Sequence, residues 1–324
     1  MSSSSIQSIS VHSNSIHSNT DISVNIAGLK FQNPVIAASG TFGYGTEYSG
    51  ILDVSRLGGI VSKGLTLKPR QGNSGMRLWE TPSGLLNSIG LENPGIEHFI
   101  ENELPQMLAI GHGRQHRPLI IANLSGSTVE EYSDGAKLLS CSAIDAIELN
   151  ISCPNVKAGG MAFGLEPSQA ALVTESVKNA ASNKPLIVKL SPNAADINAV
   201  ALAAIKAGAD ALSLVNTFKA MAIDIHTGKP VFDNISAGLS GPCIKAIALR
   251  IVWELCRFLE DHNCDTPVIG MGGITSCNDA LEFLIAGAKA VQVGSATFSH
   301  PQTMIEIIDG LKEHNNSCYA RSIK

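Results

Sequence analysis

PLIVKLSPNAADINAVALAAIKAGADALSLVN, residues 185–216, decides the fold. Its opening run, 186–190, is aliphatic and of strand length, and 195–207 then carry an Ala-rich pattern of helical period. Ala207-Gly208-Ala209-Asp210 stops that helix at a glycine and leads straight into a second apolar run, 211–216. Apolar strands on either side of a helix mean a βα unit and a parallel sheet. Ala286-Gly287-Ala288-Lys289 repeats the device ahead of 290–294.

The same alternation extends in both directions from this unit. Strands are expected at 35–38, 60–63, 119–123, 146–150, 186–190, 211–216, 268–271 and 290–294. Helical patterns occupy 128–140, 167–181, 195–207, 242–262, 276–286 and 301–313. Eight strands and no ninth fit an α/β (β/α)8 TIM barrel. The competing open, doubly wound sheet is disfavoured: the first strand lacks a following G-x-G-x-x-G and an acidic residue ~20 positions on. Two connections are long, 64–117 and 217–267. Excess length after a barrel strand sits at the C-terminal face, where active sites form, so 64–95 and 217–241 are expected to be insertions at that rim.

Composition agrees. The 324 residues are 44% hydrophobic and 16% charged, with 30 glycines and 5% aromatics, far from the signature of disorder. At about 150 residues per domain the length suggests two domains, but one barrel runs ~250 residues or more. The expectation is a single barrel domain over 21–324 behind a Ser-rich, disordered tail of 1–20, which has neither the basic nor the apolar region of a secretory signal. A net charge of −5 argues against nucleic acid as a partner. No apolar run of ~18 residues exists to span a membrane. The seven cysteines are irregularly spaced without a CxxC, so reduced thiols in a cytoplasmic protein are expected, with no metal site.

Polar residues gather where the strands finish: Ser39, Lys63 with Gly64, Asn123, Asn150, Lys189, and Asn216 with Thr217. Two lysines and three asparagines at one rim suit a flat, polar, anionic ring system. Gly272-Gly273 and Gly294-Ser295 end the seventh and eighth strands. Without a Cβ their amides can approach a phosphate, and a following helix start adds positive potential; tight turns are the plainer reading. Cys153, just past the fourth strand, reads either as an inert thiol or as a proton-transfer base on a catalytic rim. The loop 87–95 reads either as turn chemistry or as ligand contacts.

The combination of these stretches resembles one family. PVIAASGTFG (34–43), SKGLTLK (62–68), ETPSGLLNSIGLENPG (80–95), LNISCPNVKAGGMAFG (149–164), VKLSPN (188–193), GLSGPCIK (238–245) and IGMGGI (269–274) are similar to the catalytic subunit of class 1 dihydroorotate dehydrogenases, most of all the NAD-linked class 1B branch. Ala237 and Ala246 stand where that pattern has Gly and Pro.

The resemblance implies an FMN-dependent barrel that oxidises (S)-dihydroorotate to orotate in pyrimidine synthesis. It makes Cys153 the base that takes the C5 proton. Substrate would be met by Lys63, by Asn87, Ser88, Ile89, Gly90 and Leu91, and by Asn150, Asn216 and Thr217. FMN would be met by Ser39, Lys63, Gly64, Asn123, Asn150, Lys189, Val215, Gly241, Gly272, Gly273, Gly294 and Ser295. The segment after Cys153, with Gly159-Gly160 as hinges, is expected to act as a lid. The resemblance further implies a homodimer that joins an electron-transfer subunit carrying FAD and a [2Fe–2S] cluster, a heterotetramer passing electrons to NAD. The fumarate-linked class 1A enzymes and other FMN barrels acting on dihydropyrimidines or dihydrouridine are the alternatives.

Overall fold

A computed structural model describes residues 21–113, 116–152 and 163–322, with side chains described as far as 315. The Ser-rich head therefore lies outside the described residues.

Eight parallel strands close into a barrel in chain order: Val35–Ala37, Gly59–Val61, Leu119–Leu124, Ala146–Asn150, Leu186–Lys189, Ala211–Leu214, Val268–Met271 and Ala290–Val293. Pairing of Val291 with Val35 completes the ring. All eight expected strands are present. Several end one or two residues sooner than expected, although single backbone bonds such as Ser62 N–H to the Ile121 carbonyl carry on past the ladder; Lys63 and Asn216 lie beyond their strands.

Why these runs make strands follows from their two faces. Side chains alternate across a strand. The outward set, including Val35, Ile60, Ile120, Ile147, Val188, Leu212 and Val291, packs under the helices in the main apolar core. The inward set begins with one residue from every strand: Ile36, Val61, Ile121, Ala146, Ile187, Ala211, Ile269 and Ala290. A hairpin of Val24–Ile26 and Leu29–Phe31, not read from the sequence, caps this layer by inserting Ile26 and Phe31 into the same cluster. Burying two such side chains contributes about 3–6 kcal/mol. The barrel thus has a dry floor.

Helix starts follow the expected signals. Thr128, Asp196 and Ser276 each accept a backbone N–H from the first turn of their helices, Val129–Ser140, Ile197–Lys206 and Cys277–Ile285. Pro167–Ala180 and Lys245–Asp261 match their patterns, the latter entered through a 3-10 turn at Pro242–Ile244. The last helix, Thr303–Ser322, continues past residue 313. A helical segment absent from the sequence reading, Ile96–His98, Phe99–Glu103 and Leu104–Ala109, follows the second strand. Its middle is a π-helical turn, which breaks the 3.6-residue period on which a helix is recognised.

The two long connections meet. Phe218–Ala220, Ala237–Ser240, Gly84–Asn87 and Leu78–Thr81 form one antiparallel sheet in that order at the C-terminal rim. Leu86, Phe232 and Ala237 make its own small core.

Candidate active site

Two residues above the dry floor, period-two alternation brings a different set inward: Ala38, Lys63, Asn123, Glu148, Lys189, Ser213, Met271 and Gln292. Floor is apolar and this next layer is mostly polar, so the polar chemistry faces the rim.

Glu148 is the hub of the layer and is fully buried. Asn123 Nδ2 donates to its Oε1 at 2.7 Å, while Ser213 Oγ and Gln292 Nε2 donate to its Oε2 at 2.9 and 2.6 Å. The Lys189 ammonium, itself buried, stands 3.9 Å from Oε1. A carboxylate only accepts, so both amides must turn their NH2 groups to it. Asn123 Oδ1 is thereby left to accept from Asn150 Nδ2 at 3.3 Å. Gln292 Oε1 is left buried with no hydrogen-bond partner among the described residues, as is Ser125 Oγ. Orphaned acceptors of this kind cost free energy unless a ligand or water meets them.

The polar chain continues to the rim. Asn150 Oδ1 accepts from Ser152 Oγ at 2.7 Å, Ser152 Oγ accepts from Asn216 Nδ2, and Asn216 Oδ1 accepts from the Thr217 amide at 2.8 Å. Tyr132 donates to the Asn150 carbonyl at 2.8 Å and fixes the end of the fourth strand from outside. Asn123, Asn150, Asn216 and Thr217, expected from separate strand ends, therefore belong to one connected network that Ser152 bridges. Cys153 and the segment 153–162, including the expected lid hinges, lie outside the described residues.

The loop 87–91 lies over the second and third strand ends. A Cβ placed on Gly64 would come 2.9 Å from Leu91 Cδ2 and 3.2 Å from Asn123 Oδ1, so these three positions adjoin. Asn87 donates to the Gly238 carbonyl at 3.1 Å across the rim sheet. Ser88 is buried, its carbonyl and hydroxyl both held by Asn73 Nδ2. Gly90 adopts φ +77°, and Leu91 adopts φ +58°. At Gly90 a Cβ would meet the Asn73 backbone N at 2.7 Å, so glycine is required.

A second cluster lies beside the sixth to eighth strand ends. A Cβ on Gly272 would come 3.6 Å from Val215 Cγ2, and one on Gly273 would come 2.9 Å from the Gly241 carbonyl O, so Val215, Gly241, Gly272 and Gly273 adjoin. A Cβ on Gly294 would make only ordinary contacts, with Ala38 Cβ at 3.6 Å and Thr41 Oγ1 at 3.7 Å. Among the described residues the amides of Gly272, Gly273, Gly294 and Ser295 donate to no backbone acceptor. Ser39 is half-buried after the first strand.

A brace holds this glycine cluster. Asp279 accepts from the Thr275 amide and hydroxyl at 2.9 and 2.8 Å and from Ser276 Oγ at 2.9 Å, and Lys245 Nζ reaches it at 2.6 Å. It thus ties the turn after Gly272-Gly273 to the helix that follows Gly241. Burial works against the Asp279 carboxylate, but the Lys245 and loop donors outweigh it and lower its pKa to about 2. The Lys245 hydrogen bond to Asp279, and a second at 3.1 Å to Glu282, push its pKa up against the opposing effect of burial.

Sequence reading missed Glu148, Ser213, Gln292, Ser125 and Asp279. The first three had a signal: polar residues inside apolar strands, an even number of positions from an expected site residue. Asp279 had none beyond capping chemistry.

The fold and its rim define a (β/α)8 barrel with an apolar floor, a polar interior layer and a glycine-lined rim. Residues 21–314 match the family described as dihydroorotate dehydrogenase. The chain is 53% identical over 294 residues to the "Dihydroorotate dehydrogenase B (NAD(+)), catalytic subunit" of Petrotoga mobilis, covering 91% of this chain and 94% of that one. The protein of the same designation from Thermoanaerobacter pseudethanolicus is 51% identical over 91% of this chain and 93% of its own. That from Caldicellulosiruptor saccharolyticus is 50% identical over 94% and 97%. The chain belongs to the dihydroorotate dehydrogenase family.

Proposed function

We propose that this chain oxidises (S)-dihydroorotate to orotate in pyrimidine synthesis with FMN at the barrel rim, and that the electrons leave for NAD through a partner subunit. Family membership supports the reaction, and the relatives' designation as NAD(+)-linked catalytic subunits supports acceptor and partner. The observation that carries the site is the polar layer above the dry floor, with its connected asparagine chain and the buried, unpartnered Gln292 Oε1, at the same barrel end as glycine amides that have no backbone acceptor among the described residues.

These residues fit a flavin nucleotide. Gly272, Gly273, Gly294 and Ser295 would hold its phosphate through their amides, with Gly241 and Val215 alongside. Ser39, Lys63, Gly64, Asn123, Asn150 and Lys189 would hold the ring, whose imide N–H suits a free acceptor such as Gln292 Oε1. When bound, the flavin supplies a hydride acceptor for substrate C6. Lys189 would offer a positive charge to the reduced ring.

Orotate carries a carboxylate, an imide and two carbonyls. Lys63, Asn87, Asn150, Asn216, Thr217 and the backbone of Ser88, Ile89, Gly90 and Leu91 would supply the matching donors and acceptors. Held flat, the substrate presents its C5 proton to Cys153, which takes it as general base. The homodimer, the FAD and [2Fe–2S] subunit and a cytoplasmic location belong to the same reading. Among the described residues no helix is long and apolar enough to cross a membrane.

The test is the absorption spectrum of the purified chain. A flavin band near ~450 nm that anaerobic dihydroorotate bleaches is the expected result. A colourless chain that stays colourless after incubation with FMN would overturn it. NAD reduction should require a copurifying iron–sulfur flavoprotein; robust fumarate reduction by the chain alone would refute the acceptor.

A further inference from the structure

We infer that Glu148 is a positioning residue that sets the electrostatic field of Lys189 at the cofactor, a role that rests on the flavin site proposed above. The carboxylate is fully buried and the lysine is 5% exposed, 3.9 Å apart. A pair like this is weak evidence of a stabilising role, since replacing a buried ion pair by apolar side chains is often neutral or stabilising. The same layer holds apolar side chains without difficulty, as Ala38 and Met271 show. What a carboxylate does here, and an apolar residue cannot, is twofold. It neutralises Lys189, so that a ring ligand meets a pair of zero net charge instead of a bare cation. It also fixes the two amides that flank the site: by accepting from Asn123 Nδ2 and Gln292 Nε2 it turns Asn123 Oδ1 toward Asn150 and leaves Gln292 Oε1 as an unpartnered acceptor.

The charge part makes a directional claim. With Glu148 in place, negative charge arriving on the ring is opposed by the carboxylate and drawn by the ammonium. Removing only the carboxylate's charge leaves Lys189 unopposed and favours every electron-rich form of the ring. Charges a few ångströms apart inside a protein interact by several times RT even at a high effective dielectric. A tenfold effect is therefore the minimum expected.

The experiment compares chain reconstituted with FMN as the parent protein, Glu148→Gln and Ser213→Ala, the last removing one neutral donor to Glu148 and no charge. The readouts are the dissociation constant for sulfite, an anion that adds to oxidised flavin, and the flavin midpoint potential. Glu148→Gln should bind sulfite at least tenfold more tightly and raise the potential by the equivalent, about 30 mV for a two-electron couple. Ser213→Ala should change sulfite binding less than twofold. Equal shifts in both variants, or none in Glu148→Gln, would overturn the inference. Should Glu148→Gln fail to fold, Lys189→Gln and Lys189→Gln/Glu148→Gln are compared instead: the double variant should bind sulfite at least tenfold more tightly than the single, and equality would overturn the inference. A parent chain that binds no FMN refutes the flavin site itself, a different failure from bound flavin with an unchanged potential.

Discussion

Asp279 offers a stability test of the brace behind the glycine cluster. Its carboxylate is 12% exposed and accepts from Lys245, Thr275 and Ser276. In the unfolded chain its pKa is 3.8, and in the fold it is about 2. The folded value is the lower one, so the stabilisation is fully present above the unfolded pKa and is lost as pH falls through the folded one. The difference corresponds to about 2 kcal/mol at pH 7 and, because most unfolded chains are protonated by then, to about half of that at pH 3. Asp279→Asn keeps the shape and removes the charge. For a chain of this size 1 kcal/mol moves the melting temperature by about 2 °C, so the variant should melt about 4 °C below the parent at pH 7 and about 2 °C below it at pH 3. Calorimetry of both proteins across that range reads the gap directly. A gap that is constant with pH, or absent at pH 7, would refute the assignment of the stabilisation to an ionised Asp279. Asp279 also ties Thr275 to the helix behind Gly241, so the variant should retain less flavin after gel filtration.

Three further outcomes follow from the geometry. Gly273→Ala places a Cβ 2.9 Å from the Gly241 carbonyl O at φ +69°, a clash with backbone that no rotamer relieves, so its flavin-to-protein ratio should fall well below that of Gly50→Ala, where nothing lies within 4 Å. Cys153→Ala should keep the flavin spectrum while anaerobic bleaching by dihydroorotate slows by about 10²–10⁴-fold, read by stopped flow; an unchanged rate would remove Cys153 as the base. Burial, then the nearby Glu260 charge, raises the Cys256 thiol to about 11. Iodoacetamide at pH 8 should accordingly label the exposed Cys141 and Cys243 well before Cys256 in the native protein, as peptide mapping would show.

Much of this was legible in the sequence, and the exceptions share a cause. The eight barrel strands stand out because both of their faces are buried, which makes continuous aliphatic runs such as 186–190. The capping hairpin and the rim sheet do not, because their strands are partly exposed and so make no continuous aliphatic run, and are too short for a period to replace it. The rim sheet also pairs Asn87 with Gly238 across half the chain, a match no local pattern announces. At the site, residues at strand ends were singled out because position alone marks them. Glu148 was passed over because it lies mid-strand, where its meaning depends on which way the side chain points. Its neighbours decide that: Ala146 lies in the floor and Asn150 at the rim, so Glu148 between them must face inward.

The rim sheet has a consequence for synthesis. Its hairpin of Leu78–Thr81 and Gly84–Asn87 emerges from the ribosome long before Ala237–Ser240, the strand it pairs with. At about 5–20 residues per second the interval is roughly 8–30 s. Throughout it Gly84–Asn87 presents an open edge, with exposed Leu78 and Trp79 on the neighbouring strand. An edge of that kind is a template for other chains. Slowed translation after residue 87 lengthens this exposure, and the nascent protein is then most prone to pair with a neighbour on the same message.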